Sequence, residues 1–173
     1  MTNLDRSRIE QLLRALDQVL ARKGATADIY LVDGAAMALG FDAERSTRDV
    51  DAVFAPTTVV REAAATVADE FDLPSDWLND AVKGFVPSAP DVSQRVVFES
   101  DHLRVCSASA EYLLAMKVAA SRVEQDRRDL ETLVRVLGIT DAERALDVAR
   151  ASLGPSFPIP PRAQYLLAEI FEA

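Results

Sequence analysis

The sequence predicts an α+β fold in which a small mixed sheet with helices is followed by a helical C-terminal half. Short runs typical of strands occur only before residue 106, and the spacing of apolar residues after Ser109 is helical. A connector at 154–161 interrupts that helical part, because four of its eight residues are proline. We therefore expect an α/β core over residues 1–106 and a helical part over 107–173 within the same globular unit.

Composition restricts the class of protein. The 173 residues carry 19 Lys and Arg against 28 Asp and Glu, which gives a formal net charge of −9. A domain of this length is stable without disulfides, and Cys106, the single cysteine, cannot form an internal bridge. No apolar run reaches the roughly 18 residues of a membrane span, and the N-terminus lacks the apolar core of a signal peptide. We expect a cytoplasmic protein without a membrane partner, and bulk charge argues against coating of nucleic acid.

The first half of the chain alternates helices and strands. Apolar residues recur at helical spacing from Leu4 until Gly24 ends the helix, and the run 48–54 alternates apolar and polar residues as a half-buried strand does. The predicted elements are a helix from about residue 4 to the stop at Gly24, a strand at 29–32, a short helix at 35–39, a strand at 48–54 and a helix at 57–71.

The remaining elements follow from turn and cap signals. Pro74-Ser75 predicts the start of a short helix that contains Trp77, and Ser100-Asp101 predicts the turn of a hairpin spanning 92–105. Helices are expected at 111–137, at 140–153 and at 162–171, the second of them opened by a reciprocal capping box at Thr140 and Glu143.

Two aspartates in the second strand are the strongest chemical signal. Asp49 and Asp51 are two residues apart in a strand, so their carboxylates project from one face about 7 Å apart and can share a divalent cation. Like charges at that spacing repel each other unless a cation or ligand compensates them. The alternative interpretation is a solvated strand face.

A glycine and two hydroxyls lie close to these carboxylates in sequence. Gly34 is placed where a strand passes into a helix, a geometry whose backbone N–H groups and dipole attract phosphate. Taken alone, Gly34 indicates only a tight turn with a permissive backbone. Together with Ser46, Thr47 and the two aspartates, it describes a nucleoside triphosphate site with its metal ion.

Four segments carry a resemblance to a known family. These are Tyr30 to Leu39, Arg45 to Asp51, Leu73 to Asp80, and Lys117 to Arg122 with Asp126 and Asp129. The chain resembles the nucleotidyltransferase-fold family of the AbiEii/MenT-type toxins and their short relatives. The resemblance implies a polymerase-beta-like nucleotidyltransferase fold, a triphosphate held at the glycine turn, and Mg²⁺ held by the two aspartates. Characterised members transfer nucleotides to the acceptor end of tRNA and are silenced by a cognate antitoxin protein, which would make this chain the toxin of such a pair.

The resemblance assigns a role to each matching position. It implies catalytic roles for Asp49, Asp51, Lys117 and Asp129, nucleotide binding by Gly34, Ser46, Thr47, Arg48 and Arg122, and metal binding by Asp49 and Asp51. One position departs from the family, which usually has Gly-Gly or Gly-Ser where this chain has Asp33-Gly34. A carboxylate repels a triphosphate unless magnesium, Arg45 or Arg48 neutralises it.

Asp33 keeps other functions open. One alternative is a binding module that has the fold but has lost catalysis. Another is a nucleotidyltransferase that acts on a small molecule such as an aminoglycoside, or on a protein hydroxyl, because an acidic cleft favours a cationic acceptor.

The later helical motif has a geometric condition. Lys117 and Asp129 would be roughly 120° apart on an unbroken helix, so they meet only if the helix bends near 122–126. Otherwise the segment is an exposed helix in which Arg122 pairs with Asp126. Lys117 interrupts a stretch that is apolar nearly all round, and we expect its ammonium to point at a phosphate.

Overall fold

The structure is a computed structural model that describes residues 3–84, 86–87, 89–120 and 122–172. The chain divides into two compact units, the first formed by residues 1–84 and 94–108 and the second by residues 85–93 and 109–173. In the described ranges, no helix combines the length and apolar character needed to cross a bilayer.

The first unit is built on a five-stranded mixed sheet, which confirms the predicted α+β class. Its helices are α1 (Arg6–Arg22), α2 (Asp33–Gly40) and α3 (Thr57–Phe71), and its strands are β1 (Ala27–Leu31), β2 (Val50–Ala55), β3 (Leu78–Asn79), β4 (Arg95–Glu99) and β5 (Leu103–Ser107). The strand order is β3-β2-β1-β5-β4. The pairs β1–β5 and β2–β3 are parallel, whereas β1–β2 and β4–β5 are antiparallel.

Period-two alternation gives the sheet one apolar face. Ile29, Ala52 and Val105 are buried together with the apolar sides of α1, α2 and α3, which pack on the strands. The other face is polar and exposed or half-buried, and carries Asp28, Tyr30, Asp51, Val53, Arg104 and Cys106. The predicted alternation of β2 is therefore confirmed, with Asp51 on the polar face.

The prediction of a helix after Pro74 is wrong. Leu78–Asn79 instead forms the edge strand β3 beside β2, and a single 3₁₀ turn follows at Ala81–Gly84. Buried Trp77 fixes this arrangement, because its carbonyl accepts from Val50 N at 2.6 Å and its indole N–H donates to Ala64 O in α3 at 3.0 Å. These long-range bonds override the local signal for a helix.

The second unit is helical, as predicted, with two local corrections. Its helices are α4 (Ala110–Ala120), α5 (Val123–Val136), α6 (Ala142–Leu153) and α7 (Pro161–Glu172), so the segment predicted as one helix at 111–137 is two. The cap of α6 is Asp141, whose carboxylate accepts from Arg144 N at 2.8 Å, and not Thr140. Aspartate caps a helix as well as threonine does, so the sequence pattern placed the cap one residue too early.

A short preceding segment is bound to the start of α4. Ser109 N donates to Asp91 Oδ2 at 2.8 Å, and the Tyr112 hydroxyl donates to Pro87 O at 2.5 Å and lies 3.0 Å from Ala89 O. Burial, followed by the carboxylate of Asp91, raises the pKa of the Tyr112 hydroxyl. The hydrogen bonds to Ser109 and Tyr112 explain why the described part of 85–93 belongs to the second unit, whereas β4 belongs to the first.

Candidate functional site

The end of β1 and the start of α2 form the turn that the sequence singles out. Val32 N donates to Asp51 O at 3.0 Å, which fixes the turn beside the strand that carries Asp51. Asp33 adopts a left-handed backbone conformation with φ of 49°. Glycine adopts this conformation without strain, and aspartate is among the few other residues that tolerate it.

Gly34 is required for a different reason than the permissive backbone expected from the sequence. A Cβ at this position would lie 2.6 Å from Thr47 Oγ1 and 2.8 Å from Thr47 Cβ, closer than atoms can approach. Thr47 is fixed there because it exchanges two backbone hydrogen bonds with Leu4, of 2.7 and 3.0 Å. The structure thus brings Gly34 and Thr47 into contact, as a shared ligand site requires.

The neighbouring polar residues surround this contact. Ser46 is half-buried and its carbonyl accepts a hydrogen bond from the Arg45 guanidinium. Arg48 is exposed, and Asp49 follows it immediately before β2 begins. Of the predicted nucleotide-binding positions, Ser46, Thr47 and Arg48 lie in one loop that leads to Asp49.

Asn79 in β3 joins the two aspartates and was missed by the sequence analysis. It pairs with Asp51 in the parallel ladder, and its side-chain amide donates to Asp49 Oδ2 at 3.2 Å. Its own carbonyl oxygen accepts from Ala81 N at 3.2 Å, so the amide orientation is fixed. Nothing in the local sequence indicates this role, because it depends on pairing between segments thirty residues apart.

The surroundings of Asp49 disfavour the charged form of its carboxyl. Burial is the largest effect that raises the pKa of its carboxyl, and the carboxylates of Asp33 and Asp76 raise it further. The Asn79 hydrogen bond and Arg48 act in the opposite direction without cancelling these effects. A bound cation removes that unfavourable charge interaction.

The donor atoms fit a hard divalent cation. Asp49 and Asp51 each offer carboxylate oxygens as ligands. Oxygen ligands suit Mg²⁺ and similar ions and do not favour zinc.

The neighbouring Asp80 has a structural role. Its carboxylate is 2.8 Å from Arg61 Nη2 and 3.7 Å from Lys83 Nζ. The hydrogen bond from Arg61 is the main reason that the pKa of Asp80 is lowered. This carboxylate is therefore bound by protein cations, in contrast to Asp49.

The second unit brings together the residues of the helical motif. Lys117 Nζ lies 2.9 Å from Asp126 Oδ1 and 2.8 Å from Asp129 Oδ2, and each of the three side chains is at most 3% exposed. The geometric condition is met because α4 ends at Ala120 and α5 begins at Val123. The expectation that the ammonium points at a phosphate is corrected, since two carboxylates lie against it.

Asp126 is the second residue to which the sequence analysis assigned no catalytic or binding role. Its Oδ1 contacts Lys117, whereas its Oδ2 is buried, has no hydrogen bond to any described part of the chain, and lies 3.4 Å from Arg122 Nε. Arg122 caps α5 and is about half exposed, so the predicted pairing with Asp126 is present. The available signal was a second aspartate one turn before Asp129.

Comparison with known proteins gives one match. A family model described as a nucleotidyltransferase of unknown function (DUF6036) matches residues 7–146. This range includes the turn, Asp49 and Asp51, and the buried cluster of the second unit. No curated protein and no solved structure matches the chain.

Proposed function

Because the chain belongs to the DUF6036 family of nucleotidyltransferases, we propose that it transfers a nucleoside monophosphate from a nucleoside triphosphate with the help of a divalent cation. The observation that carries this proposal is the contact between Gly34 and Thr47 at the turn that is hydrogen-bonded to Asp51, with Asp49 two residues after Thr47. It combines a helix start, a hydroxyl and two carboxylates within one compact unit.

Each of these groups has a defined task in the proposed reaction. The start of α2 and the Thr47 hydroxyl bind phosphate oxygens, since the first turn of a helix offers backbone N–H groups and a favourable dipole. Asp49 and Asp51 hold the cation, which supplies charge neutralisation for the triphosphate when it is bound. Asn79 is a positioning residue that keeps the Asp49 carboxylate in one orientation.

The transfer step is a displacement at the α-phosphorus. An acceptor hydroxyl forms a new P–O bond, the bond to the β-phosphate oxygen breaks, pyrophosphate leaves and the hydroxyl proton is lost to a base. The buried ion pairs of Lys117 with Asp126 and Asp129 favour a structural role for this lysine over that of offsetting phosphate charge. The burial of Asp129, 1% exposed and against Lys117, favours a positioning role for this carboxylate over that of a base.

We further propose that the cation is Mg²⁺, that the acceptor is tRNA and that the protein acts as the toxin of a toxin–antitoxin pair. The resemblance to AbiEii/MenT-type toxins supports these finer assignments. A cognate antitoxin protein is the partner they imply.

Transfer to tRNA tests the proposal. Purified protein is incubated with MgCl₂, each α-labelled triphosphate in turn and total tRNA, alongside Asp51→Asn and the exposed-carboxylate control Asp72→Asn. We expect label on tRNA with the wild type and the control, and none with Asp51→Asn. Label that persists in Asp51→Asn would refute the assignment of this strand.

Asp33 favours one second candidate, a binding module without catalysis. Asp33 lies in the turn that would receive phosphate, and its carboxylate raises the pKa of Asp49. Asp33→Gly separates the two candidates, because it removes the charge and relaxes the left-handed backbone. Transfer that appears only in Asp33→Gly would identify the wild type as the binding module.

A further inference from the structure

The N-terminal segment before α1 is joined to the nucleotide site through its backbone. Leu4 forms an isolated antiparallel bridge with Thr47, in which Leu4 N donates to Thr47 O at 2.7 Å and Thr47 N donates to Leu4 O at 3.0 Å. Leu4 lies ahead of residues 7–146, the range that the family model matches. The bridge is therefore a feature of this chain that the family assignment does not cover.

Leu4 is itself held in place in two ways. Its side chain is buried, with 1% of its surface exposed. The next residue, Asp5, caps α1, since its carboxylate accepts from Arg8 N at 2.8 Å and its carbonyl accepts from Ile9 N at 2.9 Å. Because α1 packs on α3 and on the sheet, Leu4 cannot shift without exposing an apolar side chain or disturbing the cap of that helix.

Thr47 is the point at which this anchor meets the loop between α2 and β2. The first part of that loop is bound locally, because Asp42 N donates to Met37 O at 2.9 Å. Thr47 is bound instead to the distant Leu4, and its side chain fills the space where a Cβ of Gly34 would lie. A displacement of Leu4 therefore also moves the Thr47 hydroxyl away from the start of α2.

We propose that Leu4 is a positioning residue for triphosphate binding, because its bridge to Thr47 holds the phosphate-binding hydroxyl in place. The inference rests on the proposed function, which assigns phosphate oxygens to the Thr47 hydroxyl and the start of α2. The coupling is reciprocal: an open bridge weakens triphosphate binding, and a bound triphosphate keeps the bridge closed. The N-terminal segment thus controls how tightly the site binds its substrate.

Hydrogen exchange of the Leu4 amide measures this coupling in the wild type. The amide exchanges when the bridge opens, because its N–H donates to Thr47 O in the closed form. A non-hydrolysable nucleoside triphosphate with MgCl₂, at about ten times its Kd, should slow this exchange about tenfold, since it binds the closed form. The amide of Leu73, which donates to Ala68 O just after α3, is the control and should keep its rate.

Two substitutions of Leu4 separate its backbone bond from its side-chain packing. Leu4→Pro removes the N–H that donates to Thr47, whereas Leu4→Ala keeps this N–H and removes most of the apolar side chain. The triphosphate Kd from calorimetry should rise about tenfold in Leu4→Pro, where we expect about one molecule in ten to keep the bridge closed, and at most about twofold in Leu4→Ala. The Kd of Mn²⁺ alone, measured by electron paramagnetic resonance, should stay unchanged in both, because Asn79 orients Asp49 independently of the bridge.

The outcomes separate this inference from the proposed function. Equal triphosphate Kd values in Leu4→Pro and Leu4→Ala, a Mn²⁺ Kd that rises together with that of the triphosphate, or Leu4 exchange that the triphosphate does not slow would overturn the positioning role and leave the proposed function intact. A wild type that binds no triphosphate would refute the proposed function and the coupling with it. If thermal unfolding shows that Leu4→Pro does not fold, the exchange rate of the Leu4 amide in the wild type decides.

Discussion

Replacement of Lys117 by methionine is expected to destabilise the protein strongly. Methionine has a similar length but no charge, so the variant leaves the buried carboxylates of Asp126 and Asp129 without the ammonium that contacts them at 2.9 and 2.8 Å. Breaking a buried ion pair by removing one partner costs about 3–5 kcal/mol in the free energy of unfolding. At about 2–4 °C per kcal/mol for a chain of this size, the midpoint of thermal unfolding should fall by about 6–20 °C.

Circular dichroism at neutral pH measures this shift. Arg150→Met is the matched control in the same unit, because the exposed ion pair of 3.3 Å between Arg150 and Asp147 should contribute less than about 1 kcal/mol to the free energy of unfolding. The triple variant with Asp126→Asn and Asp129→Asn should recover part of the loss, since none of the three substituted side chains is charged. A Lys117→Met protein as stable as the control would show that the buried cluster does not stabilise the second unit.

Three other predictions concern the first unit. Gly34→Ala should lower the free energy of unfolding by about 1–3 kcal/mol through overpacking and should weaken triphosphate binding. Gly84→Ala should do neither, because a Cβ at that position meets nothing within 4 Å. Equal effects of the two substitutions in denaturant titrations would contradict the contact between Gly34 and Thr47. Asp49→Asn should raise the thermal midpoint at neutral pH, because a raised pKa means that the charged Asp49 carboxylate destabilises the folded state above that pKa. The difference in midpoint between variant and wild type should narrow as the pH falls toward about 4. An unchanged or lower midpoint of the variant at neutral pH would refute the prediction. In Arg61→Ala the pKa of Asp80 should rise toward its ordinary value of 3.8, and NMR titration of this carboxyl measures the change. In the wild type the lowered pKa stabilises the folded state above that value, a contribution that is lost as the pH falls through the lowered pKa and that the variant should lack. A pKa that does not move would exclude Arg61 as the cause.

Elements defined by their own periodicity were predictable from sequence. The alternation in β2 and the helical spacing in α1 and α3 reflect burial of one face of each element. Buried residues recur at every second position in a strand and at every third to fourth position in a helix. The same local information predicted that Asp51 would project from the polar face. It also predicted the hairpin of β4 and β5 from its turn residues.

Features that depend on pairing between distant segments were not predictable. Strand β3 has only two residues and exists because Val50 and Trp77 hydrogen-bond, so Asn79 could not be connected with Asp49 in advance. Similarly, Gly34 seemed to serve the backbone of a turn, whereas its actual constraint is Thr47, which is held in place by the distant Leu4.

The buried cluster was predictable only in part. The resemblance selected Lys117 and Asp129, and the helical angle between them required a bend, which the structure provides. The involvement of Asp126 in the same cluster follows from where the helix breaks, and the break has no distinct local signal in the sequence.

Calorimetric titration with a non-hydrolysable nucleoside triphosphate, with and without MgCl₂, tests the central claim most directly. The account predicts binding by the wild type that requires the metal and is lost in Asp49→Ala, while the exposed-carboxylate control Asp72→Asn binds like the wild type. Metal-independent binding, or binding that Asp49→Ala retains in full, would contradict the assignment of Asp49 and Asp51 as the metal-holding carboxylates of a nucleotidyltransferase.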